Sequence, residues 1–185
     1  MIHFRSPVTL HNGTMSNPAD FHIVFFCMGN ICRSPTAHGV FLHHLQRAGL
    51  QDRVSVDSAG THNYHPGKPP DHRSQTHALA RGYDLSDLRA RQLVDRDFAQ
   101  ADLLLAMDWD NLALAEAMAP PLHRRKLRRL TEFCLVHQSP VIPDPYQGGD
   151  HDFQHVLDLV EDACQGLLLH VQACLATRDA LRSAS

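Results

Sequence analysis

The sequence predicts an α/β fold, with a single three-layer domain in which a four-stranded parallel sheet carries helices on both faces. Short apolar runs typical of buried strands alternate along the chain with segments of helical periodicity. The chain is 185 residues long and 43% apolar, which suits one domain of ordinary size or at most two very small ones. No internal repeat or low-complexity segment interrupts this pattern.

The first predicted unit is a strand, a short loop and a helix. Residues 21–27 form an apolar run that leads into a glycine, which is the pattern of a buried strand. Ser34 and Pro35 then suit the N-cap and the first position of a helix. Apolar residues recur on one face of that helix, and Gly49 can end it.

The same alternation continues along the rest of the chain. Three later apolar runs predict the other strands, at residues 53–58, 101–107 and 127–133. Three segments predict helices, at residues 71–82, from the third strand to about residue 119, and after residue 149. Two stretches rich in proline and glycine predict long loops, at residues 59–71 and 140–149.

The two ends of the chain are expected to lie outside the domain. Residues 1–20 are polar and rich in turn-forming residues, which predicts a flexible N-terminal extension. They lack the basic-then-apolar order of a signal peptide. We expect the domain to occupy residues 21–178, with residues 179–185 as a tail.

Composition and charge exclude several classes of protein. A formal net charge of -3 argues against a protein that binds nucleic acid, and no apolar run approaches the roughly 18 residues of a membrane span. Five cysteines without a secreted spacing predict reduced thiols in a cytoplasmic protein. His151 and His155 have a spacing that zinc can use, but no third ligand stands nearby, so we expect no metal. The sequence indicates no particular oligomeric state.

The loop at residues 27–34 lies between the first strand and the first helix, at the carboxyl end of the predicted sheet. Backbone N–H groups in a tight strand-to-helix turn form a concave anion site, and the positive end of the next helix adds to the attraction. Gly29 and Asn30 tolerate the positive φ that such a turn can require. Arg33 adds a permanent charge with a planar fork that matches two phosphate oxygens. We therefore expect this loop to bind an oxyanion such as phosphate.

Cys27 stands at the mouth of this loop, where the same positive field favours its thiolate. A thiolate beneath a bound phosphate is placed to attack phosphorus in line. The spacing of Cys27 and Arg33 alone is equally compatible with a buried strand-end cysteine and a surface arginine. Its position between an apolar strand and a Ser-Pro helix start favours the catalytic interpretation.

The stretch VFFCMGNICRSP, residues 24–35, resembles the phosphate loop of the low-molecular-weight protein-tyrosine phosphatases. Three further blocks agree with that family in order and spacing: DSAGT at residues 57–61, AMD at residues 106–108 with Asn111, and PDPY at residues 143–146. The resemblance spans about residues 21–175. It implies the family's fold, with the phosphate loop between the first strand and the first helix.

The resemblance also implies the chemistry. Cys27 would attack the phosphoryl group of a phosphotyrosine and form a phosphocysteine intermediate. Asp144 would protonate the departing phenolate and then act as the base for water. No metal or cofactor is needed, because positive charge comes from the loop. Substrates would be phosphotyrosine proteins or peptides, and small aryl phosphates in vitro. The implied phosphate-binding residues are Met28, Gly29, Asn30, Ile31, Cys32, Arg33 and Ser34.

Further residues acquire expected roles from the same family. Tyr64 and Tyr146 occupy the positions of aromatic walls of the substrate cleft, where their rings can stack on a phenyl phosphate. The Ser34 hydroxyl is implied to donate to the Cys27 thiolate, besides its possible role as a helix cap. Cys27 and Cys32 resemble the paired loop cysteines with which family members protect themselves from oxidation.

The sequence departs from the family around Ser34. Relatives often carry a glutamate at position 38 and a histidine at position 88, in a buried network that supports this serine. Here the residues are His38 and Leu88. Either His38 supports Ser34 in a different way or the support is absent.

Three alternatives to a tyrosine phosphatase can be compared with the sequence. Arsenate reductases of the same fold need resolving cysteines beyond the loop, and none lies between Arg33 and Cys134. Protein-arginine phosphatases carry a threonine at the position of Ile31, and isoleucine favours phosphotyrosine. A non-catalytic phosphate-binding module would have lost the nucleophile or the acid, yet Cys27 and Asp144 are both present.

Overall fold

The computed structural model describes residues 19–184. The predicted extension, residues 1–20, lies outside the described residues apart from its last two. Of these, Asp20 binds Arg53 at 2.8 Å and Arg182 at 2.9 Å through its carboxylate oxygens. These ion pairs attach the beginning of the described chain to the domain.

Four parallel strands form one sheet in residues 19–184. They are β1 (Phe21–Cys27), β2 (Val54–Gly60), β3 (Leu103–Ala106) and β4 (Leu127–Arg129). Their order across the sheet is β2-β1-β3-β4. β1 therefore lies inside the sheet, paired with β2 along its whole length on one side and with β3 on the other. The predicted four-stranded parallel sheet is confirmed.

Five α-helices in the described residues cover both faces of this sheet. They are α1 (Arg33–Ala48), α2 (His72–Ala80), α3 (Asp95–Gln100), α4 (Trp109–Met118) and α5 (Asp150–Ser183). Alternate side chains of β1 point to opposite faces. Ile23 and Phe25 belong to the core shared with α1 and α5, whereas Val24 and Phe26 belong to the core shared with α3 and α4. This arrangement confirms the predicted three layers.

The fourth strand is shorter than the predicted 127–133. Residues Leu127–Arg129 pair with β3, and Leu130–Phe133 then form a 3₁₀ helix. Glu132 accounts for the change, because its carboxylate accepts a hydrogen bond from the backbone N–H of Arg129 at 2.8 Å. This side chain closes a turn at the point where a longer strand would have continued. The sequence pattern also missed the six-residue α3.

The last helix extends farther than expected. α5 continues to Ser183, so residues 179–183, which the sequence predicts as a tail, are helical. Asp179 in this segment binds the guanidinium of Arg53 through both carboxylate oxygens, at 2.7 and 3.0 Å. Among residues 19–184 no helix is both long and apolar enough to cross a membrane.

The carboxyl ends of the strands bring together the segments that matter for the site. Cys27 at the end of β1 lies beside Gly60 at the end of β2, and Phe26 pairs with Ala106 at the end of β3. The loops that follow these strands therefore leave the sheet at one edge, next to the beginning of α1.

A tight contact between α5 and the segment at residue 133 gives a test of the packing. A Cβ atom added at Gly166 would lie 2.0 Å from the carbonyl oxygen of Phe133. We therefore expect Gly166→Ala to lower the free energy of unfolding by about 1–3 kcal/mol, although alanine is the better helix former by about 1 kcal/mol. Urea denaturation measures the difference.

Gly149→Ala is the matched control, because no heavy atom lies within 4 Å of a Cβ at that position. Gly149 is the N-cap of α5, where alanine is less favourable than glycine, so we expect this substitution to cost about 0.5 kcal/mol without any steric clash. A Gly166→Ala protein as stable as the wild type would contradict the close approach of α5 to residue 133.

Candidate active site

The loop between β1 and α1 turns tightly around its own backbone. Asn30 adopts a φ of 56°, and it is the one non-glycine residue of the described chain with a positive φ. Asparagine tolerates this left-handed conformation better than most residues. Gly29 does not use it, but a Cβ at position 29 would lie 3.2 Å from the ring of His65. Of the two residues expected to allow the turn, only Asn30 takes the left-handed conformation.

Several carbonyl groups of this loop accept hydrogen bonds from backbone N–H groups of neighbouring segments. The carbonyls of Cys27 and Met28 accept hydrogen bonds from the N–H groups of the two residues that follow β2, at 2.8 and 3.0 Å. The carbonyl of Ile31 accepts from Asp71 N–H at 2.8 Å. Within residues 19–184, no backbone N–H of residues 29–32 donates a hydrogen bond. In the described chain the loop therefore keeps N–H donors without partners, while the carbonyls of Cys27, Met28 and Ile31 are satisfied.

The side-chain amide of Asn30 connects the loop to its surroundings. Its nitrogen donates to Ser34 Oγ at 2.9 Å and to Ser58 Oγ at 3.0 Å, while its oxygen accepts from Arg91 N–H at 3.1 Å. An amide nitrogen has two hydrogens, and both are used here. Each serine oxygen is thus an acceptor from Asn30, and each serine keeps its own hydrogen for another partner.

Ser34 directs its hydroxyl towards the cysteine. Its Oγ lies 3.1 Å from the sulfur of Cys27, a residue that is 3% exposed, and it donates to the carbonyl oxygen of Ala59 at 3.3 Å. Because Ser34 Oγ accepts from Asn30, its single hydrogen is shared between the carbonyl oxygen of Ala59, to which it donates, and the Cys27 sulfur. Ser34 does not cap α1, since the helix begins at Arg33 and the cap position is Cys32.

The position of His38 shows how Ser34 is supported in this chain, a point that the sequence leaves open. Its Nδ1 lies 3.3 Å from Ser58 Oγ, and burial lowers the pKa of His38 to about 4. The ring is therefore neutral at pH 7, and we assign the tautomer whose bare Nδ1 accepts the Ser58 hydrogen. His38 thus supports Ser34 indirectly, through Ser58 and Asn30. Leu88 packs against the apolar core instead of taking part in this network.

Arg33 occupies the centre of the site, with a side chain that is 2% exposed. One terminal nitrogen binds Asp108 Oδ2 at 2.5 Å and the carbonyl oxygen of Ile142 at 3.2 Å, and the other binds Asp144 Oδ2 at 3.0 Å. Its Nε is buried and has no hydrogen-bond partner within the described residues. Burial by itself would lower the pKa of Arg33, but the charges of Cys27 and the two aspartates outweigh burial and raise it.

Asp144 reaches this arginine from the proline-rich loop. The loop is attached to the sheet by a hydrogen bond from Ile142 N–H to the carbonyl oxygen of Met107, at 2.7 Å. Asp144 Oδ1 accepts from Tyr146 N–H at 3.2 Å, while its side chain remains 45% exposed. The carboxyl group is therefore oriented towards Arg33 and still open to the cleft.

The cleft in front of the loop contains most of the residues singled out from the sequence. Tyr64 and Tyr146 stand at its rim, 61% and 46% exposed, and the Tyr64 ring stacks on His62 with 4.9 Å between centroids. Cys32 also lines the cleft, and burial raises the pKa of its thiol to about 12. The residues lining the cleft are Cys27, Met28, Gly29, Ile31, Cys32, Arg33, Tyr64, His65, Asp144 and Tyr146.

The sequence analysis assigned no role to two residues of this site, although Asp108 belongs to the AMD block that resembles the family. Asp108 binds Arg33 and also caps α4, with its Oδ1 accepting from Asn111 N–H at 2.7 Å. An acidic residue directly after a central strand was the available signal. His65 lines the cleft, but nothing in the sequence distinguishes it from the other histidines of its loop. In the part of the chain that the structure describes, no group of three or more potential ligands is arranged to hold a metal.

The burial of His38 gives a pH test of the network. Its pKa is about 4 in the folded protein, against an ordinary value of 6.5. Between these values the unfolded chain binds a proton that the folded chain does not, so stability falls as the pH is lowered. From pH 7 to about pH 4.5, we expect the wild type to lose about 2 kcal/mol more than His38→Asn.

Asparagine is the informative replacement for His38, because its side-chain oxygen can accept the Ser58 hydrogen but does not titrate. Urea denaturation of both proteins at the two pH values measures the difference. Equal losses of stability would show that His38 does not titrate in a buried environment.

Comparisons with known proteins agree with the fold. The family model "Low molecular weight phosphotyrosine protein phosphatase" matches residues 22–177. The chain is 40% identical to low molecular weight protein-tyrosine phosphatase A of Mycobacterium tuberculosis, covering 83% of this chain and 91% of that protein. It is 32% identical to the low molecular weight protein-tyrosine-phosphatase YfkJ of Bacillus subtilis, covering 81% and 95%.

Solved structures show the same similarity. A crystal structure of a protein tyrosine phosphatase from Entamoeba histolytica, with Hepes in its active site, superposes with a TM-score of 0.81. The two chains are 35% identical, and the match covers 83% of this chain and 97% of the other. The predicted resemblance is confirmed, and this chain belongs to the low molecular weight phosphotyrosine protein phosphatase family.

Proposed function

We propose that this protein is a cytoplasmic phosphatase that hydrolyses phosphotyrosine in proteins or peptides, and small aryl phosphates in vitro. The reaction passes through a phosphocysteine on Cys27, with Asp144 as the general acid and then the base. Membership of the family supports the phosphatase activity. The groups around Cys27 support a phosphocysteine mechanism for this activity.

One observation carries the proposal: the loop that follows Cys27 keeps several hydrogen-bond donors without acceptors in the described chain. The backbone N–H groups of residues 29–32 and the Nε of Arg33 have no hydrogen-bond partner within residues 19–184. Unsatisfied buried donors are costly, so a site that keeps them is suited to a ligand with many acceptor oxygens. A phosphoryl group meets this requirement, and its charge matches the raised pKa of Arg33.

In the first step, the Cys27 sulfur forms a bond to phosphorus while the bond from phosphorus to the phenolic oxygen breaks. The hydroxyl of Ser34, 3.1 Å from Sγ, stabilises the thiolate that begins this attack. The proton of Asp144 passes to the phenolic oxygen as it leaves. The products of this step are tyrosine and the phosphocysteine.

In the second step, the Asp144 carboxylate takes a proton from water, and the water oxygen attacks phosphorus. The bond from sulfur to phosphorus breaks, which releases inorganic phosphate and restores the thiolate. The sum of both steps is hydrolysis of a phosphate monoester. The Arg33 guanidinium and the loop N–H groups hold the phosphoryl oxygens throughout, so the mechanism requires no metal ion.

The hydrogen bond between Arg33 and Asp144 fits an acid that becomes active when substrate arrives. In the structure this contact is 3.0 Å long and holds the carboxyl group against the guanidinium. A phosphoryl group that binds the Arg33 guanidinium replaces this contact. The Asp144 carboxyl is then free to face the leaving oxygen.

Two substitutions test the assigned roles. We expect Cys27→Ser to abolish turnover, because the hydroxyl is a far weaker nucleophile, while inorganic phosphate still binds. We expect Asp144→Asn to lower kcat by about 10²–10⁴-fold for phosphotyrosine, and by less for p-nitrophenyl phosphate, whose leaving group needs less protonation. Steady-state hydrolysis without added metal measures both effects.

Asp110→Asn is a matched control, since Asp110 is exposed on α4 and does not line the cleft. A loss in Asp144→Asn that is equal for every leaving group would remove Asp144 from the acid role. Activity of Cys27→Ser at the wild-type level would end the proposal. A wild-type preference for phosphoarginine over phosphotyrosine peptides would favour the arginine phosphatase alternative despite Ile31.

The two loop cysteines give a separate test under oxidation. We propose that peroxide converts the Cys27 thiolate to a sulfenic acid, which condenses with the Cys32 thiol to form a disulfide and release water. Because burial raises the pKa of Cys32 to about 12, few molecules carry the attacking thiolate at neutral pH. We therefore expect the disulfide to form about tenfold faster for each unit of pH increase below that value.

Mass spectrometry of the loop peptide after peroxide, followed by a thiol reductant, measures this protection. The wild type should recover its activity, whereas Cys32→Ser should recover poorly because Cys27 oxidises further. Cys174→Ser is the control, since Cys174 lies on α5 outside the cleft. Complete recovery of Cys32→Ser would show that Cys32 is not the resolving thiol.

A further inference from the structure

Arg73 on α2 connects two segments that are far apart in the sequence. On one side, its guanidinium binds both carboxylate oxygens of Asp71, at 3.0 and 2.9 Å. On the other side, it donates to the carbonyl oxygen of Tyr146 at 3.1 Å and to that of Gly148 at 3.4 Å. The guanidinium also lies 4.7 Å from the ring centroid of Phe153 on α5.

Asp71 attaches this contact to the phosphate loop. Its backbone N–H donates to the carbonyl oxygen of Ile31 at 2.8 Å, and its carboxylate accepts from Arg73 N–H at the beginning of α2, at 2.9 Å. The contact with Arg73 lowers the pKa of Asp71, so both groups are charged at neutral pH. Hydrogen bonds therefore run from the phosphate loop through Asp71 to Arg73.

The segment that Arg73 holds begins two residues after Asp144. Before the aspartate, the loop is attached to the sheet through Ile142. After it, within the described residues, the carbonyls of Tyr146 and Gly148 are bound by Arg73 before α5 begins. Arg73 also lies 5.7 Å from the Tyr146 ring centroid, so it contacts both the backbone and the side chain of this residue.

We propose that Arg73 is a positioning residue for the general acid: it holds the segment after Asp144 against Asp71, and thereby fixes the carboxyl group relative to the phosphate loop. The inference rests on the proposed role of Asp144. Arg73 does not line the cleft and has no contact with the reacting atoms. Its effect passes through the backbone of residues 146–148.

This role predicts a particular kinetic signature. A displaced acid slows the departure of a poor leaving group more than that of a good one. A displacement of about 1 Å can cost about 100-fold in rate. The value of kcat/KM reports the steps up to departure of the phenol, so it isolates this effect from hydrolysis of the phosphocysteine.

The experiment measures kcat/KM for a series of aryl phosphates with Arg73→Met and Arg73→Lys. We expect Arg73→Met to lose about 10–100-fold with phenyl phosphate and only a few-fold with p-nitrophenyl phosphate. Arg73→Lys keeps a charge for Asp71 but not the planar fork, so we expect an intermediate loss. The inhibition constant for inorganic phosphate should stay within about threefold of the wild type, because the phosphate loop itself is intact.

Arg81→Met is the matched control. Arg81 lies just beyond α2 with similar exposure, and its guanidinium binds Gln154 and Glu161 on α5 rather than the segment after Asp144. This substitution removes a comparable contact with α5, and thermal unfolding compares its cost with that of Arg73→Met. We expect it to leave the dependence on the leaving group unchanged.

The same series in an Asp144→Asn background separates the two roles. Without an acid to position, Arg73→Met should cost less than about twofold for every substrate. Two results would overturn the positioning role of Arg73 but leave the acid role of Asp144 standing. One is a loss of kcat/KM from Arg73→Met that is as large in the Asp144→Asn background as in the wild type. The other is an equal loss of kcat/KM from Arg81→Met. If Asp144→Asn kept the wild-type dependence of kcat/KM on the leaving group, Asp144 would not be the general acid. The inference about Arg73 would then be wrong as well.

Discussion

The geometry of the loop depends on the side chain of Asn30. Its backbone lies in the left-handed region, its amide nitrogen binds two serine hydroxyls, and its amide oxygen binds the N–H of Arg91. Aspartate would supply no donor, and glycine would supply neither donor nor acceptor. Because both amide hydrogens are used, the hydrogen of Ser34 is directed to Cys27 and to the carbonyl oxygen of Ala59, and that of Ser58 to His38. One residue therefore sets both the course of the loop and the direction of the hydrogen bonds around it.

The charges of the site come from elements that meet only in the folded chain. Arg33 stands at the beginning of α1, Asp108 follows β3, and Asp144 lies on the loop before α5. A buried guanidinium between two carboxylates is balanced, which reduces the cost of placing it among apolar strands. Under the proposed function, the phosphoryl group meets a guanidinium that these carboxylates already orient, and it displaces the Asp144 carboxylate from it.

Residue patterns alone predicted the local parts of the site, whereas Asp144, Tyr64 and Tyr146 were assigned to it only through the family resemblance. The contacts that join distant residues were not predicted. The strand, loop and helix around Cys27 follow one another within 28 residues, so apolar periodicity and turn chemistry suffice to find them. The pairing of Arg33 with Asp108 joins residues 75 apart, and that of His38 with Ser58 joins residues 20 apart. No periodicity encodes such contacts. The early end of β4 was also not predicted from the sequence. The hydrogen bond from Arg129 N–H to the Glu132 carboxylate closes a turn there despite the apolar pattern.

The two ends of β1 differ in how their charges respond to dissolved salt. At its amino end, Asp20, Arg53 and Asp179 form ion pairs that face solvent, where counter-ions at about 0.15 M screen interactions over about 8 Å. At its carboxyl end, the pair of Arg33 and Asp108 is largely enclosed, and mobile ions reach it poorly. Higher ionic strength therefore weakens the attachment of the last turns of α5 first. Arg33 therefore keeps its orientation across a range of salt that loosens the opposite end of the sheet.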